Sequence, residues 1–122
     1  MRSISLLNNP VFHDDKPYSE PLYVDSHGRV LRFMLKPGQT IVEHKTPTSP
    51  FYVVVLQGVG FFTDGEGQET QVKPNDLLVF DLGEKHSVRA GDNDFIFLGI
   101  LHNAPNVRSD HVSGTMVEDS NV

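Results

Sequence analysis

Short apolar segments that recur at close intervals constrain the fold of this 122-residue chain more than any other feature. Glycine, proline, asparagine and aspartate separate them, and no window keeps helical spacing for three turns. With turns such as KPG at 36–38 and KPND at 73–76, the pattern predicts strands at residues 21–25, 29–36, 39–44, 51–57, 59–63, 68–73, 77–80, 86–90 and 94–102. Such short strands with short connections predict an all-β sandwich or small barrel.

The predicted strand 51–57, FYVVVLQ, lacks the alternation of a strand with one wet face. In an antiparallel sheet exposed on one side, every second residue is polar, and here six successive residues are not. Both faces of this strand should therefore be covered. The inner face would line the barrel and the outer face would meet a second copy, which predicts a homodimer.

Chain length and local composition predict one domain with two dissimilar ends. Residues 1–20 are polar and are expected to form an N-terminal arm that packs along the barrel or a neighbour, and residues 21–105 form the barrel itself. Residues 106–122 have low hydrophobicity and no sustained period, so a flexible C-terminal tail is predicted.

Composition also excludes several classes of partner. A net charge of −6 repels phosphate backbones, so nucleic acid is not an expected partner. No apolar run approaches the roughly 20 residues that span a bilayer, so no membrane association is expected. The chain has no cysteine, which excludes disulfides and thiolate metal sites and favours the cytoplasm as its compartment.

Two stretches of the sequence resemble the paired motifs of the cupins. The first motif of that family is a glycine, five residues, His-x-His, three or four residues, a glutamate, six residues and a glycine. The matching positions here are Gly38, His44, Thr46, Phe51 and Gly58. The second motif is a glycine, five residues, Pro-x-Gly, two residues, a histidine, three residues and an asparagine, matched by Asn75, Asp81, Gly83, His86 and Ala90.

The resemblance covers residues 21–105 and implies a double-stranded β-helix, the jelly-roll barrel of RmlC-like cupins. Metal-binding cupins use two histidines and the glutamate of the first motif and the histidine of the second. Of these four ligands only His44 and His86 remain here, because Thr46 and Phe51 replace the others. Two imidazoles hold a metal only loosely, so we expect either no cofactor or a weakly bound divalent Fe, Mn, Ni or Zn.

Further donors would have to come from outside the motifs. His102 ends the last strong strand and is either the best spare donor or a strand-end residue that caps a loop. Glu43 should point away from the site on a regular strand, and Glu84 lies in a turn where carboxylates are usually solvated.

Six residues are the candidate ligand contacts: His44, Thr46, Phe51, Val53, His86 and His102. His44 and His86 are either metal ligands or a pair of partly buried imidazoles bonded to each other, to water or to an organic ligand. Phe51 either packs in the core or forms an aromatic wall of the cavity. The leading hypothesis is a small-molecule-binding protein without a tightly held metal. The alternatives are a metal-dependent enzyme of dioxygenase or isomerase type, and an acid–base enzyme without metal.

Overall fold

The computed structural model of this chain describes residues 1–102, which fold into two packed antiparallel sheets. The strands are β1 (Tyr18–Asp25), β2 (Gly28–Leu35), β3 (Thr40–His44), β4 (Phe51–Gln57), β5 (Gly60–Thr63), β6 (Glu69–Val72), β7 (Leu77–Phe80), β8 (His86–Ala90) and β9 (Phe95–His102). Sheet A has the order β1-β2-β9-β4-β7 and sheet B the order β3-β8-β5-β6.

Each segment predicted as a strand forms one, and the all-β prediction is confirmed. The largest difference is at β1, which begins at Tyr18 and so takes in the end of the predicted arm. The predicted barrel end at residue 105 and the predicted tail, 106–122, lie outside the described residues. Within residues 1–102 no helix is long and apolar enough to cross a membrane.

The core lies between the inner faces of the two sheets. Alternate residues of β4 are buried, with Phe51, Val53 and Val55 inside and the positions between them half-buried. Gly99 of β9 has a packing role here, because a Cβ at this position would lie 2.7 Å from ring atoms of Phe33 and Phe51. Because Gly99 has no side chain, the rings of Phe33 and Phe51 pack directly against the backbone of β9.

The N-terminal arm packs on the outer face of sheet A. The Arg32 guanidinium donates to the carbonyl oxygens of Leu6 and Asn8 at 2.9 and 2.8 Å and forms an ion pair with Glu20. Arg32 is only 4% exposed, so these acceptors replace the water it would otherwise bind. The arm thus covers the outer side of β2.

Two turn positions of the motifs, Gly58 and Asn75, have the left-handed backbone conformation. Gly58 has φ +79°, and a Cβ there would lie 2.1 Å from the carbonyl oxygen of Asp94. Asn75 stands where the second motif has its first glycine and has φ +76°. Asparagine tolerates this conformation better than most residues, so the turn survives the replacement.

Candidate functional site

An extra residue in β3 sets the direction of His44. Ile41 pairs with Val88 and His44 pairs with His86, so three steps along β3 match two steps along β8. On a regular strand Glu43 would stand opposite His86, since alternate side chains share a face. The bulge brings His44 to that position instead and leaves Glu43 exposed.

The two imidazoles meet inside the barrel among aromatic rings. The ring centroids of His44 and His86 are 4.1 Å apart, and the rings meet edge to face at 70°. His86 is 1% exposed and stacks on Phe51 and on Phe80, each at 4.7 Å. The structure therefore brings together the predicted residues His44, Phe51 and His86.

Each imidazole is oriented by its own backbone. Nδ1–H of His44 donates to the carbonyl oxygen of Val42 at 3.0 Å, and Nδ1–H of His86 donates to that of Glu84 at 3.1 Å. Since a carbonyl can only accept, each neutral ring carries its hydrogen on Nδ1 and keeps a lone pair on Nε2. Within the described chain, the buried Nε2 of His86 has no hydrogen-bond partner. Such an atom marks where a ligand atom would be stabilised.

Both histidines are harder to protonate than in water. Burial first and the nearby His44 second lower the pKa of His86 from 6.5 to about 4, although Glu84 opposes the shift. Burial also lowers the pKa of His44, and its bond to the Val42 carbonyl opposes this. Both rings are therefore neutral near pH 7 and present acceptors rather than positive charges.

Hydrogen bonds between loops close this end of the barrel. The buried Thr46 donates its hydroxyl to the carbonyl oxygen of Ser49 at 2.8 Å, and the Thr46 carbonyl accepts the N–H of Gly83 at 3.0 Å. The Ser49 hydroxyl oxygen accepts the N–H of His102 at 2.8 Å. The loop 45–50 is thereby tied both to the loop before β8 and to the end of β9.

The other two predicted ligand contacts, Val53 and His102, lie away from the histidine pair, one in the core and one on the surface. Val53 is fully buried one inward position beyond Phe51, among the core residues. His102 follows the inward-facing Leu101 and is exposed, with its Nε2 2.9 Å from the Tyr52 hydroxyl and its ring stacked on Tyr52. The structure therefore separates His102 from the histidine pair and places it on the outer face of sheet A.

Within residues 1–102, the donors around His44 and His86 are too few for a tightly held metal. Among residues 1–102 no group of three or more His, Cys, Asp or Glu side chains could hold an ion. At the site itself, His44 and His86 offer two nitrogens, Phe51 replaces the motif carboxylate, and the Thr46 hydroxyl is engaged with Ser49. Zinc and non-haem iron sites usually need a third protein ligand, so these residues do not fit a resident metal.

A small cavity adjoins the stacked rings. It has a volume of about 180 Å³ and is lined by Phe62, Leu78, Phe80 and Glu84, among others. The Glu84 carboxylate accepts the N–H of Gly65 at 3.2 Å and that of Asp81 at 2.9 Å, which links the β5–β6 turn to the loop after β7. Glu84 is thus engaged at the rim of the cavity.

Arg29 is an inward-facing residue that the sequence reasoning missed. It is 8% exposed, and in β2 it shares the parity of Leu31 and Phe33, which belong to the core. The alternation Arg29, Leu31, Phe33 is visible in the sequence and would have revealed the inward position.

Three comparisons agree on the fold. A crystal structure of an RmlC-like cupin from Desulfovibrio desulfuricans superposes with a TM-score of 0.74 and 24% identity, covering 83% of this chain and 96% of that one. A Klebsiella pneumoniae protein with a double-stranded β-helix domain gives 0.78 and 21%, covering 88% and 94%. A predicted oxalate decarboxylase from Thermotoga maritima gives 0.67 and 26%, covering 72% and 81%. The predicted double-stranded β-helix is confirmed.

Sequence comparison agrees with the structural likeness. A protein named oxalate-binding protein from Thermotoga maritima is 32% identical over 71 residues, which are 57% of this chain and 58% of that relative. The match thus spans less than two thirds of the relative's length. The family model described as "Cupin domain" matches residues 31–101, more than half of the chain. The chain belongs to the cupin family.

Proposed function

We propose that the protein binds a small organic molecule at the end of the barrel where His44, Thr46, Phe51 and His86 lie. The observation that carries the proposal is the buried Nε2 of His86, which has no partner within residues 1–102. Leaving such an acceptor unpaired costs about 1–3 kcal/mol, and a ligand that donates a hydrogen bond would remove that cost. Aromatic rings beside it supply apolar contact area.

The known relatives support this class of function. One relative is named for oxalate binding, and a structural neighbour is called a predicted oxalate decarboxylase. Both names concern small organic molecules. The proposed site excludes His102, because its ring stacks on Tyr52. A ligand would contact Val53 only if it extended past Phe51 into the core.

Imidazole nitrogen spectra test the proposal directly. Protein labelled with ¹⁵N and freed of metal on a chelating resin would be titrated with a library of small organic acids, alcohols and amides. A binder should move the Nε2 resonance of His86, which has no partner within residues 1–102, and that of His44, whose ring meets the His86 ring edge to face. His27 lies in the exposed β1–β2 turn and is the internal control.

His86→Phe is the matched variant for the same titration. A phenyl ring fits between Phe51 and Phe80 but offers no acceptor, so binding should weaken while His27→Phe leaves it unchanged. Compounds that bind by calorimetry without moving either Nε2 resonance would contradict the proposed site. A library without any binder would contradict the function.

A second candidate is a metal-dependent enzyme of dioxygenase or isomerase type, with His44, His86 and a donor outside the motifs as ligands. The hydrogen bonds from Nδ1–H to backbone carbonyls favour it, because metal-binding histidines are commonly oriented in this way. Elemental analysis separates the candidates. Protein purified without chelator should hold close to one Fe, Mn, Ni or Zn per chain, and His44→Ala with His86→Ala should remove it. Less than roughly a tenth of an equivalent argues against a metalloenzyme.

Metal-free acid–base catalysis is the weakest of the three functions. A general base works best with a pKa near the working pH, and burial holds the pKa of His86 at about 4. Such an enzyme should lose turnover on replacement of either histidine while the metal-free protein stays active.

We also propose that two copies associate through the outer face of sheet A. Leu77 and Val79 of β7 are 63% and 54% exposed and pair with Val54 and Tyr52 of β4. This apolar strip is what an isologous contact between two copies would cover. Nucleic acid and membranes are not among the proposed partners, and a cytoplasmic location stays a prediction.

A further inference from the structure

His86 is held in one orientation by contacts on three sides of its ring. The ring stacks between Phe51 and Phe80, with centroid distances of 4.7 Å to each and interplanar angles of 13° and 28°. Its Nδ1–H donates to the carbonyl oxygen of Glu84 at 3.1 Å. A flip of the ring would break this hydrogen bond, so Nε2 keeps both its position and its lone pair. A ligand that reaches this nitrogen therefore meets an acceptor of fixed direction.

The surroundings of Nε2 favour the neutral form of the imidazole. Protonation would add an N–H at this nitrogen, which is buried and has no hydrogen-bond partner within residues 1–102. The charge would then be enclosed by the rings of Phe51, Phe80 and the half-buried His44, and an unpaired charge is costly among such groups. Because the neutral ring offers only a lone pair here, the complementary group on a ligand is an O–H or N–H donor.

A ligand anion finds little electrostatic support near this ring. Phe80, which stacks on His86, also lines the cavity of about 180 Å³. Among the described residues, the walls of this cavity include the carboxylates of Asp64 and Glu84 and no basic side chain. These carboxylates repel a negative charge, and the inward-facing Arg29 of β2 already has an interaction partner of its own. The environment therefore disfavours a carboxylate ligand.

The acceptor and its surroundings indicate one class of ligand. Given the proposed small-molecule site, on which this inference rests, we propose that the ligand is a neutral molecule that donates an O–H or N–H to Nε2 of His86, and that the site discriminates against carboxylate anions of the same shape. Amides, alcohols and phenols belong to this class. A carboxylate places only lone pairs opposite Nε2, whereas an amide of the same size places an N–H there.

Three compounds of similar shape separate the effect of charge from that of hydrogen bonding. Benzamide is neutral and has an N–H donor, methyl benzoate is neutral without a donor, and benzoate is an anion near pH 7.5. Acetamide, methyl acetate and acetate form a smaller set for a site that admits only short molecules. Calorimetry on metal-free protein should show, in at least one set, that the amide binds roughly 10- to 100-fold more tightly than both the ester and the carboxylate.

His86→Phe is the matched variant, because a phenyl ring keeps the stacking on Phe51 and Phe80 but removes the acceptor. It should abolish the preference for the amide over the ester, whereas His27→Phe, in the exposed β1–β2 turn, should keep it. The ¹⁵N-labelled wild type gives a reading that needs no variant. Its His86 Nε2 resonance should move to the frequency of a hydrogen-bonded nitrogen with the amide but not with the ester.

The possible outcomes separate this selectivity from the proposed site itself. A carboxylate or an ester that binds as tightly as its amide, with the His86 resonance still responding, would overturn the selectivity and leave the site standing. A preference for the amide that survives in His86→Phe would overturn the role of Nε2. Absence of binding by all six compounds would also overturn the inference, and the proposed site fails as well only if the wider library contains no binder.

Discussion

Acidification should destabilise the folded chain through His86, because the pKa of this ring is lower in the folded chain than in the unfolded chain. Burial between Phe51 and Phe80, and the neighbouring His44, lower its pKa from 6.5 to about 4. Above pH 6.5 the ring is neutral in both the folded and the unfolded chain. As the pH falls through this value, the unfolded chain takes up a proton and the folded chain does not, so the free energy of unfolding decreases.

The size of the loss follows from the difference between the two pKa values. A shift from 6.5 to about 4 corresponds to about 3 kcal/mol once both states are protonated. At about pH 5 the loss should already be about 2 kcal/mol, since the folded ring is still mostly neutral there. His44 has a lowered pKa too and adds a loss in the same direction.

Urea denaturation followed by circular dichroism measures this loss, at pH values from about 7.5 to about 5. Carboxylates also titrate at the acidic end, so the informative quantity is the difference between the wild type and His86→Phe. The variant loses the bond to the Glu84 carbonyl, about 1 kcal/mol, but should lose much less stability than the wild type on acidification. His27→Phe should follow the wild type. Parallel pH curves for wild type and His86→Phe would refute the assignment of a depressed pKa to His86.

Three further predictions concern the walls of the site and the outer face of sheet A. Phe51→Ala should cost about 3–5 kcal/mol of stability in urea, because Phe51 is 4% exposed and packs on Phe33, Phe80 and His86, and a loss under about 1 kcal/mol would place it outside the core. Thr46→His with Phe51→Glu should raise zinc affinity roughly tenfold or more by calorimetry, since Phe51 stacks on His86 and Thr46 follows His44 by two residues. No gain would contradict the alignment of the loop 45–50. Val79→Lys should shift a dimer to monomer in analytical ultracentrifugation, whereas Val42→Lys, at an exposed valine of sheet B, should not. A wild type that is monomeric at micromolar concentration would remove the dimer prediction.

The strands could be predicted from the sequence because the turn residues are strong signals. Proline, glycine, asparagine and aspartate stand between each pair of apolar segments, and the spacing of the motif residues fixed which strands meet. The pairing of His44 with His86 came from that resemblance rather than from periodicity. Strict alternation from Ile41 would have turned Glu43 inward, and only the bulge in β3 brings His44 to the inner face.

Two side-chain directions show where sequence reasoning fell short. The sequence allows His102 to be either a spare donor or a strand-end residue, and its direction depends on Leu101, which faces inward and so turns His102 outward to Tyr52. Arg29 was overlooked because a charged residue near a turn suggests a solvated strand end. Its inward position depends on the core residues Leu31 and Phe33, which set the parity of β2.

The aromatic residue at position 51 determines the electrostatic environment of the histidine pair. A glutamate at this position would stand beside His86, whose ring stacks on the side chain of residue 51. In a medium of low polarity its negative charge would stabilise a protonated imidazole and raise the pKa of His86. Phe51 adds no charge, and burial lowers the pKa values of both imidazoles. The substitution that removes a metal ligand therefore also keeps His86 neutral, with Nε2 as an acceptor.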